Sequence, residues 1–473
     1  MDFRKLLKSE SKSTLIYLVS TLVTGFGSFL IIPIYWSKLS LSDYGIIAVT
    51  DLLSGILGIF LGLNIEQGIT RYYYEWNTNE RKFALGSLWL TSWGAIILMF
   101  PLFFAIVYFF SDSLFPDIDF YPYIFIGLII SFLTPFDRIP TVVFRVLQRP
   151  YLYSGFNIIS FFITNATALI FVFAYNMGVI GYLYAMILSK IVLIIAYTII
   201  MLLLAKPTLR WKYVKEPLAF SFNFVFPEIV TSISSQGDRY LLQLLLNVKL
   251  LGIYSISLKF GALYTNIHNI LKLSYVPFLI KTAAEEENGT NIVKKTIPFY
   301  IVPMFFGFVI ISLFADNLIV LIGNKEYFPI IDYLPWVCFS LLIPSLYMYY
   351  APGIYLSKNT KYLIYPPLAS SLLFLVFSPI LVPFMSLFGL IIAKVIAGVG
   401  YLYVSLVLSK KLYNWDNDFW FLFFISGVSL LIILIDIALS KMDMNSIYTE
   451  FFLILSFTLS CFLILKRHWK LII

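Results

Sequence analysis

Runs of about twenty apolar residues recur along the whole chain, and no other feature constrains its fold so tightly. Each is long enough to cross ~30 Å of hydrocarbon as a helix rising about 1.5 Å per residue. They read near 14–37, 43–64, 83–110, 121–145, 152–175, 178–205, 218–247, 250–280, 296–322, 329–356, 362–384, 386–409, 418–440 and 446–465. Polar turns part them, among them Ser40-Leu41-Ser42-Asp43, a predicted helix cap, and Asn414-Trp415-Asp416-Asn417. Inside a bilayer every backbone N–H and C=O must find its partner within the protein. The expected fold is therefore all-α and integral to the membrane, with about fourteen transmembrane helices and no soluble domain. Only 12% of the residues are charged, roughly half the share usual in a soluble domain.

The few cations are unevenly placed. With the N-terminus cytoplasmic, the inner loops collect Arg71, Arg81, Lys82, Arg145, Arg149, Lys206, Arg210, Lys212, Lys215, Lys281, Lys294, Lys295, Lys358, Lys361, Lys410 and Lys411. The outer loops receive only Lys38, Lys249, Lys325 and Lys441. This bias predicts that both termini are cytoplasmic, and losing one helix would invert every later loop. Arg4, Lys5, Lys8 and Lys12 precede a first run too long for a signal-peptide core and without a small-residue cleavage site, so it is expected to be retained as a helix. The net charge of +8 forms no single basic face, so no nucleic-acid partner is expected. Cys338 and Cys461 lie in separate spans without metal-ligand spacing and read as small core residues.

An internal repeat shows at an offset close to 208. Ser42-Asp43-Tyr44-Gly45 aligns with Lys249-Leu250-Leu251-Gly252, and Gly178-Val179-Ile180-Gly181 with Ser386-Leu387-Phe388-Gly389. The interval spans six helices, an even number, which gives two halves of the same orientation with a cleft expected between them. The rival reading is chance recurrence of Gly-aromatic turns. The division expected is an N-terminal lobe of helices 1–6 over residues 1–213, a C-terminal lobe of helices 7–12 over 214–411, and two additional helices with a cytoplasmic tail over 412–473.

Leu39-Ser40-Leu41-Ser42-Asp43-Tyr44-Gly45, Leu61-Gly62-Leu63 leading to Arg71-Tyr72-Tyr73-Tyr74-Glu75, Asp238-Arg239-Tyr240-Leu241-Leu242 and Leu251-Gly252-Ile253-Tyr254-Ser255 resemble the bacterial polysaccharide flippases. These are O-antigen repeat-unit type members of the multidrug/oligosaccharidyl-lipid/polysaccharide exporter superfamily. The resemblance runs through the whole chain and implies two six-helix lobes around a central cavity. It further implies translocation of an undecaprenyl-pyrophosphate-linked oligosaccharide from the inner to the outer leaflet of the bacterial cytoplasmic membrane. A glycan polymerase and a chain-length regulator are the partners it implies, besides the lipid-linked oligosaccharide and membrane lipids.

A charged group at hydrocarbon depth costs about 2.5–3.5 kcal/mol, so each needs a partner, a cavity or a function. Glu228, Ser232, Ser235, Gln236, Arg239 and Gln243 form one polar stripe on the seventh span. Arg239 is the leading candidate for the pyrophosphate, since its guanidinium fork matches phosphate oxygens. The alternative is a structural ion pair with an acidic residue on a neighbouring helix. Lys259, Gln236, Lys190, Lys394, Arg138 and Lys272 complete the substrate-binding candidates, with Lys272 also placed to snorkel to the cytoplasmic interface. Asp51, Glu66, Glu228 and Asp238 are candidates for a coupling proton or sodium ion. Gly55, Gly58 and Gly62 between Asp51 and Glu66 read as a close-packing stripe.

No HExxH, GxSxG or phosphate-cradling lysine loop occurs, and neither an enzymatic activity nor a cofactor is expected. Two rivals to the flippase stand: a cation-coupled drug or metabolite exporter of the same superfamily, and a membrane glycan polymerase or ligase.

Overall fold

The computed structural model describes residues 3–285, 289–322, 324–357, 360–415, 419–442 and 447–472, and among them it is helical with no strand. The chain divides into two compact units, Met1–Gly252 and Ile253–Ile473.

The first unit contains α1 (Phe3–Tyr35), α2 (Leu41–Gly62), α3 (Ile65–Tyr72), α4 (Thr78–Leu114), α5 (Phe125–Leu133), α6 (Arg138–Val146), α7 (Pro150–Leu169), α8 (Gly178–Leu204), α9 (Trp211–Phe222) and α10 (Val225–Leu245), and the start of α11 (Val248–Glu285). α2 opens where the sequence predicts. The Asp43 N–H donates to Ser40 Oγ at 3.2 Å, and the Ser40 N–H donates to Asp43 Oδ2 at 2.8 Å. This reciprocal box satisfies two amides that the first helical turn leaves without partners, worth about 1 kcal/mol. α4 packs through small residues at its start. A β-carbon on Gly86 would collide with the Lys206 carbonyl, and the Lys206 N–H donates to the Lys82 carbonyl at 2.9 Å.

The second unit continues with α12 (Gly289–Ile322), α13 (Pro329–Ser345), α14 (Tyr347–Tyr350), α15 (Gly353–Leu356), α16 (Tyr365–Tyr413), α17 (Trp420–Lys441) and α18 (Ile447–Ile472). α16 is too long for one crossing: its 49 residues extend about 74 Å against ~30 Å of hydrocarbon. It is broken at Ser386, whose φ of 53° lies outside the helical region. Gly178, the partner of Ser386 in the sequence repeat, also has a positive φ, of 56°, at the start of α8.

The protein is a multi-pass integral membrane protein. Its outward surface is apolar, with Leu98 80%, Leu203 79% and Phe384 84% exposed on α4, α8 and α16, a surface suited to lipid rather than water. A helix lies under each of the fourteen expected segments. Nine helical stretches among the described residues are long and apolar enough to span by themselves, and one of these is the doubled stretch Lys361–Tyr413. The bent pair α9–α10 adds a tenth. The apolar parts of α1 and α18, Val19–Tyr35 and Tyr448–Phe462, are shorter than a full crossing.

Within the first unit, the repeated glycines Gly45 and Gly252 meet reciprocally. A β-carbon on Gly45 would collide with the Val248 carbonyl oxygen, and one on Gly252 with the Leu41 carbonyl oxygen. Backbone meets backbone at both places, so no side chain can yield. Gly252→Leu is expected to lower the melting temperature by several degrees, since overpacking of this kind costs about 1–3 kcal/mol. Gly94→Ala, where an added carbon meets nothing within 4 Å, is expected to leave it unchanged or slightly raised. Thermal unfolding of the two purified variants in one detergent checks both.

Candidate functional site

Two helix breaks build the polar centre of the first unit. α2 ends at Gly62, and Leu63 and Asn64 then take φ of 49° and 51° before α3 restarts at Ile65. The span carrying α5 and α6 is interrupted by a tighter turn over Thr134–Asp137, with Pro135 unable to donate to the helical ladder. Each break frees backbone groups and delivers side chains off the helical register. Asn64 and Glu66 follow the first, while Asp137 and Arg138 close the second.

These residues join in ion pairs. Arg138 Nη1 donates to Glu66 Oε1 at 3.2 Å and to Asn64 Oδ1 at 3.3 Å. Asp137, its neighbour in sequence, turns the other way and accepts from Lys190 Nζ of α8 at 3.1 Å. Both pairs are largely removed from solvent. The glycines of α2 supply the space. A β-carbon on Gly58 would stand 3.0 Å from Arg138 Nη2 and one on Gly62 3.5 Å from Arg138 Cδ, while one on Gly55 would stand 2.6 Å from Gln236 Nε2. The groups packed closely against this stripe are a guanidinium and an amide.

α10 brings the remaining polar groups. Gln236 Nε2 donates weakly to Ser232 Oγ, at 3.4 Å. Glu228 lies within electrostatic reach of Glu66. Asp238 is buried and accepts from the Arg239 N–H at 2.8 Å. Arg239 makes no salt bridge among the described residues, and its Nε is buried without a hydrogen-bond partner there. One turn further, the fully buried Gln243 leaves both Nε2 and Oε1 without partners among the described residues. Buried polar atoms are rarely left so.

The other candidates are dispersed. Asp51 is exposed on α2 within electrostatic reach of Tyr182. In the second unit Lys394 donates to the Tyr254 hydroxyl at 2.8 Å, Lys272 lies within electrostatic reach of His268, and Lys259 is half-buried on α11. Sequence reasoning missed Asp137, Asn64 and Tyr254, which decide how three of the predicted cations are used. Pro135 inside an apolar span was the signal for Asp137. No group of three or more His, Cys, Asp or Glu residues among those described is arranged to hold a metal ion.

A family model described as polysaccharide biosynthesis protein matches residues 39–331. The chain belongs to this polysaccharide biosynthesis family. The same fold appears in the lipid II flippase MurJ in an inward-closed conformation, with a TM-score of 0.68 at 15% identity over 94% of this chain and 97% of that chain. An inward-facing multidrug resistance MATE family transporter of the MOP superfamily gives 0.61 at 14% identity, covering 84% and 94%. A MATE transporter of Vibrio cholerae gives 0.55 at 14% identity, covering 88% and 98%. No curated protein matches the chain in sequence.

The ion pair predicts a particular mutational pattern. Arg138→Gln leaves Glu66 uncompensated and is expected to destabilise by about 3 kcal/mol. Glu66→Gln combined with Arg138→Gln is expected to lose less than the sum of the two single changes, because neither charge is then left alone. A double-mutant cycle on thermal unfolding checks the sign.

Proposed function

We propose that this protein flips an undecaprenyl-pyrophosphate-linked oligosaccharide repeat unit from the inner to the outer leaflet of a bacterial cytoplasmic membrane, for surface polysaccharide biosynthesis. Membership of the polysaccharide biosynthesis family gives the pathway class. The fold shared with a lipid II flippase and a multidrug transporter favours movement of a substrate over a bond-making reaction.

The observation that carries the substrate class is the contrast among the cations. Arg138 and Lys190 are neutralised by carboxylates, and Lys394 is held by a phenol. Arg239 keeps a buried guanidinium nitrogen without a partner on a helix face that also presents Gln236 and Gln243. A guanidinium so placed suits a pyrophosphate, which accepts two parallel hydrogen bonds and brings the opposite charge. Gln236 and Gln243 supply amides suited to sugar hydroxyls.

In this reading the lobes over 1–213 and 214–411 alternate access, the helices over 412–473 are additional, and both termini are cytoplasmic. The long polyprenyl tail stays in lipid. Proton or sodium coupling is assigned in this reading to Glu66 and Glu228, two carboxylates within electrostatic reach of one another, of which only Glu66 makes a salt bridge among the described residues. Partnership with a glycan polymerase and a chain-length regulator belongs to the same reading.

Reconstituted vesicles containing a fluorescent undecaprenyl-pyrophosphate oligosaccharide test it. The native protein is expected to accelerate leaflet exchange, Arg239→Ala to reduce the rate at least about tenfold, and Arg239→Lys to restore it only in part. Unchanged exchange in Arg239→Ala would remove this residue from the site, and absent exchange by active protein would favour the drug or metabolite exporter. A second arm imposes proton or sodium gradients. Glu228→Gln is expected to abolish any gradient response while leaving passive exchange measurable.

A further inference from the structure

The second unit holds a cavity that the flippase reading does not use. Its volume is about 840 Å³, and α12, α13, α16 and α17 line it. The polar lining is acidic: Asp316 of α12, Asp332 in the first turn of α13, and Asp436 of α17. Asp316 lies within electrostatic reach of the other two and of Glu450 on α18. No lysine or arginine is among the described lining residues. The rest of the wall is apolar and aromatic, led by Trp336, Phe339 and Phe388.

A second observation points to a ligand. Ser312 lines the same cavity, is only 3% exposed, and its Oγ has no hydrogen-bond partner among the described residues. Buried helical serines normally bond back to a carbonyl three or four residues earlier. Ser257, Ser378 and Ser429 of the same unit do so at 2.6–2.9 Å. Ser312 instead keeps its hydroxyl free beside the carboxylates.

The cavity is much too large for a bare ion, and the described carboxylates do not converge as a chelating set. Its size is that of a pocket for a small organic molecule, about 300–1,000 Å³. Carboxylates attract a positive head, and aromatic faces attract it further through the negative face of the ring. The branched aliphatic walls accept an apolar body.

We propose that this cavity binds an organic ammonium amphiphile, with the cationic head between Asp316 and Asp332 beside Ser312, and the apolar body against Trp336, Phe339 and Phe388. The site is built from residues of the second unit alone and does not depend on the glycan-flipping reading.

Equilibrium dialysis of the full chain in dodecyl maltoside, with radiolabelled decyltrimethylammonium as the probe, tests it. One saturable site per chain is expected. Asp316→Asn combined with Asp332→Asn is expected to weaken binding at least about tenfold, and Ser312→Ala about two- to fivefold. Decyl sulfate, with the same tail and the opposite charge, is expected not to compete. Arg239→Ala is expected to bind the probe normally whatever its effect on flipping, which separates failure here from failure of that reading. Should the double variant lose its gel-filtration profile, Trp336→Ala provides the second test, with weaker binding expected. Native-like binding by a folded double variant or by Trp336→Ala, equal competition by decyl sulfate, or stoichiometric sodium binding with none of the probe would overturn the proposal.

Discussion

Hydrocarbon offers a charged side chain no water, and the organisation of the first unit follows from that scarcity. Asp137 and Arg138 sit side by side in a span otherwise read as apolar, and each alone would cost about 2.5–3.5 kcal/mol. The chain resolves this by sending them in opposite directions, one to Lys190 and the other to Glu66 and Asn64. The helix breaks are part of the same solution. A continuous helix would hold neighbouring side chains about 100° apart in fixed positions, whereas the turn over Thr134–Asp137 allows both to reach carboxylate or ammonium partners on separate elements. Glycine at 58 and 62 then leaves room for the guanidinium.

Electrostatic neutrality at that centre bears on which residue the proposed anionic lipid would meet. Counting cations along the sequence suggests a broadly positive cavity, yet Arg138 and Lys190 are both compensated within the first unit. Arg239 and its neighbours on α10 differ in kind, since burial there is accompanied by missing partners for Arg239 and Gln243. A transporter has reason to keep such groups. Binding energy comes from pairing that the empty site lacks, and release requires that no interaction be overly strong.

Much of the fold was legible in the residues. Apolar length marked the long helices but not the short α3, Ser40 and Asp43 announced their cap, and the change of span near residue 386 coincides with the backbone turn at Ser386. Pairings were not legible. Glu66 and Arg138 stand 72 residues apart, and Asp137 and Lys190 stand 53 apart; helical periodicity reports which face a residue occupies but not which helix faces it. The α2 break was equally hidden, because Leu63 and Asn64 take left-handed conformations without glycine at either position. The glycine stripe was legible as a close-packing surface, but spacing alone does not show that the side chains of Arg138 and Gln236 lie against it.

The separation within those ion pairs also sets a schedule for biogenesis. At about 5–20 residues per second, Arg138 is synthesised roughly 4–14 s after Glu66, and Lys190 about 3–11 s after Asp137. During each interval one member of the pair has already been made while its counter-charge has not. A nascent helix carrying Asp137 therefore has reason to linger in the insertion machinery, or at its water-filled edge, until α8 arrives. The same contacts that make the finished centre neutral make its assembly sequential, so a chain interrupted before α8 carries an uncompensated aspartate as a mark by which quality control can recognise it.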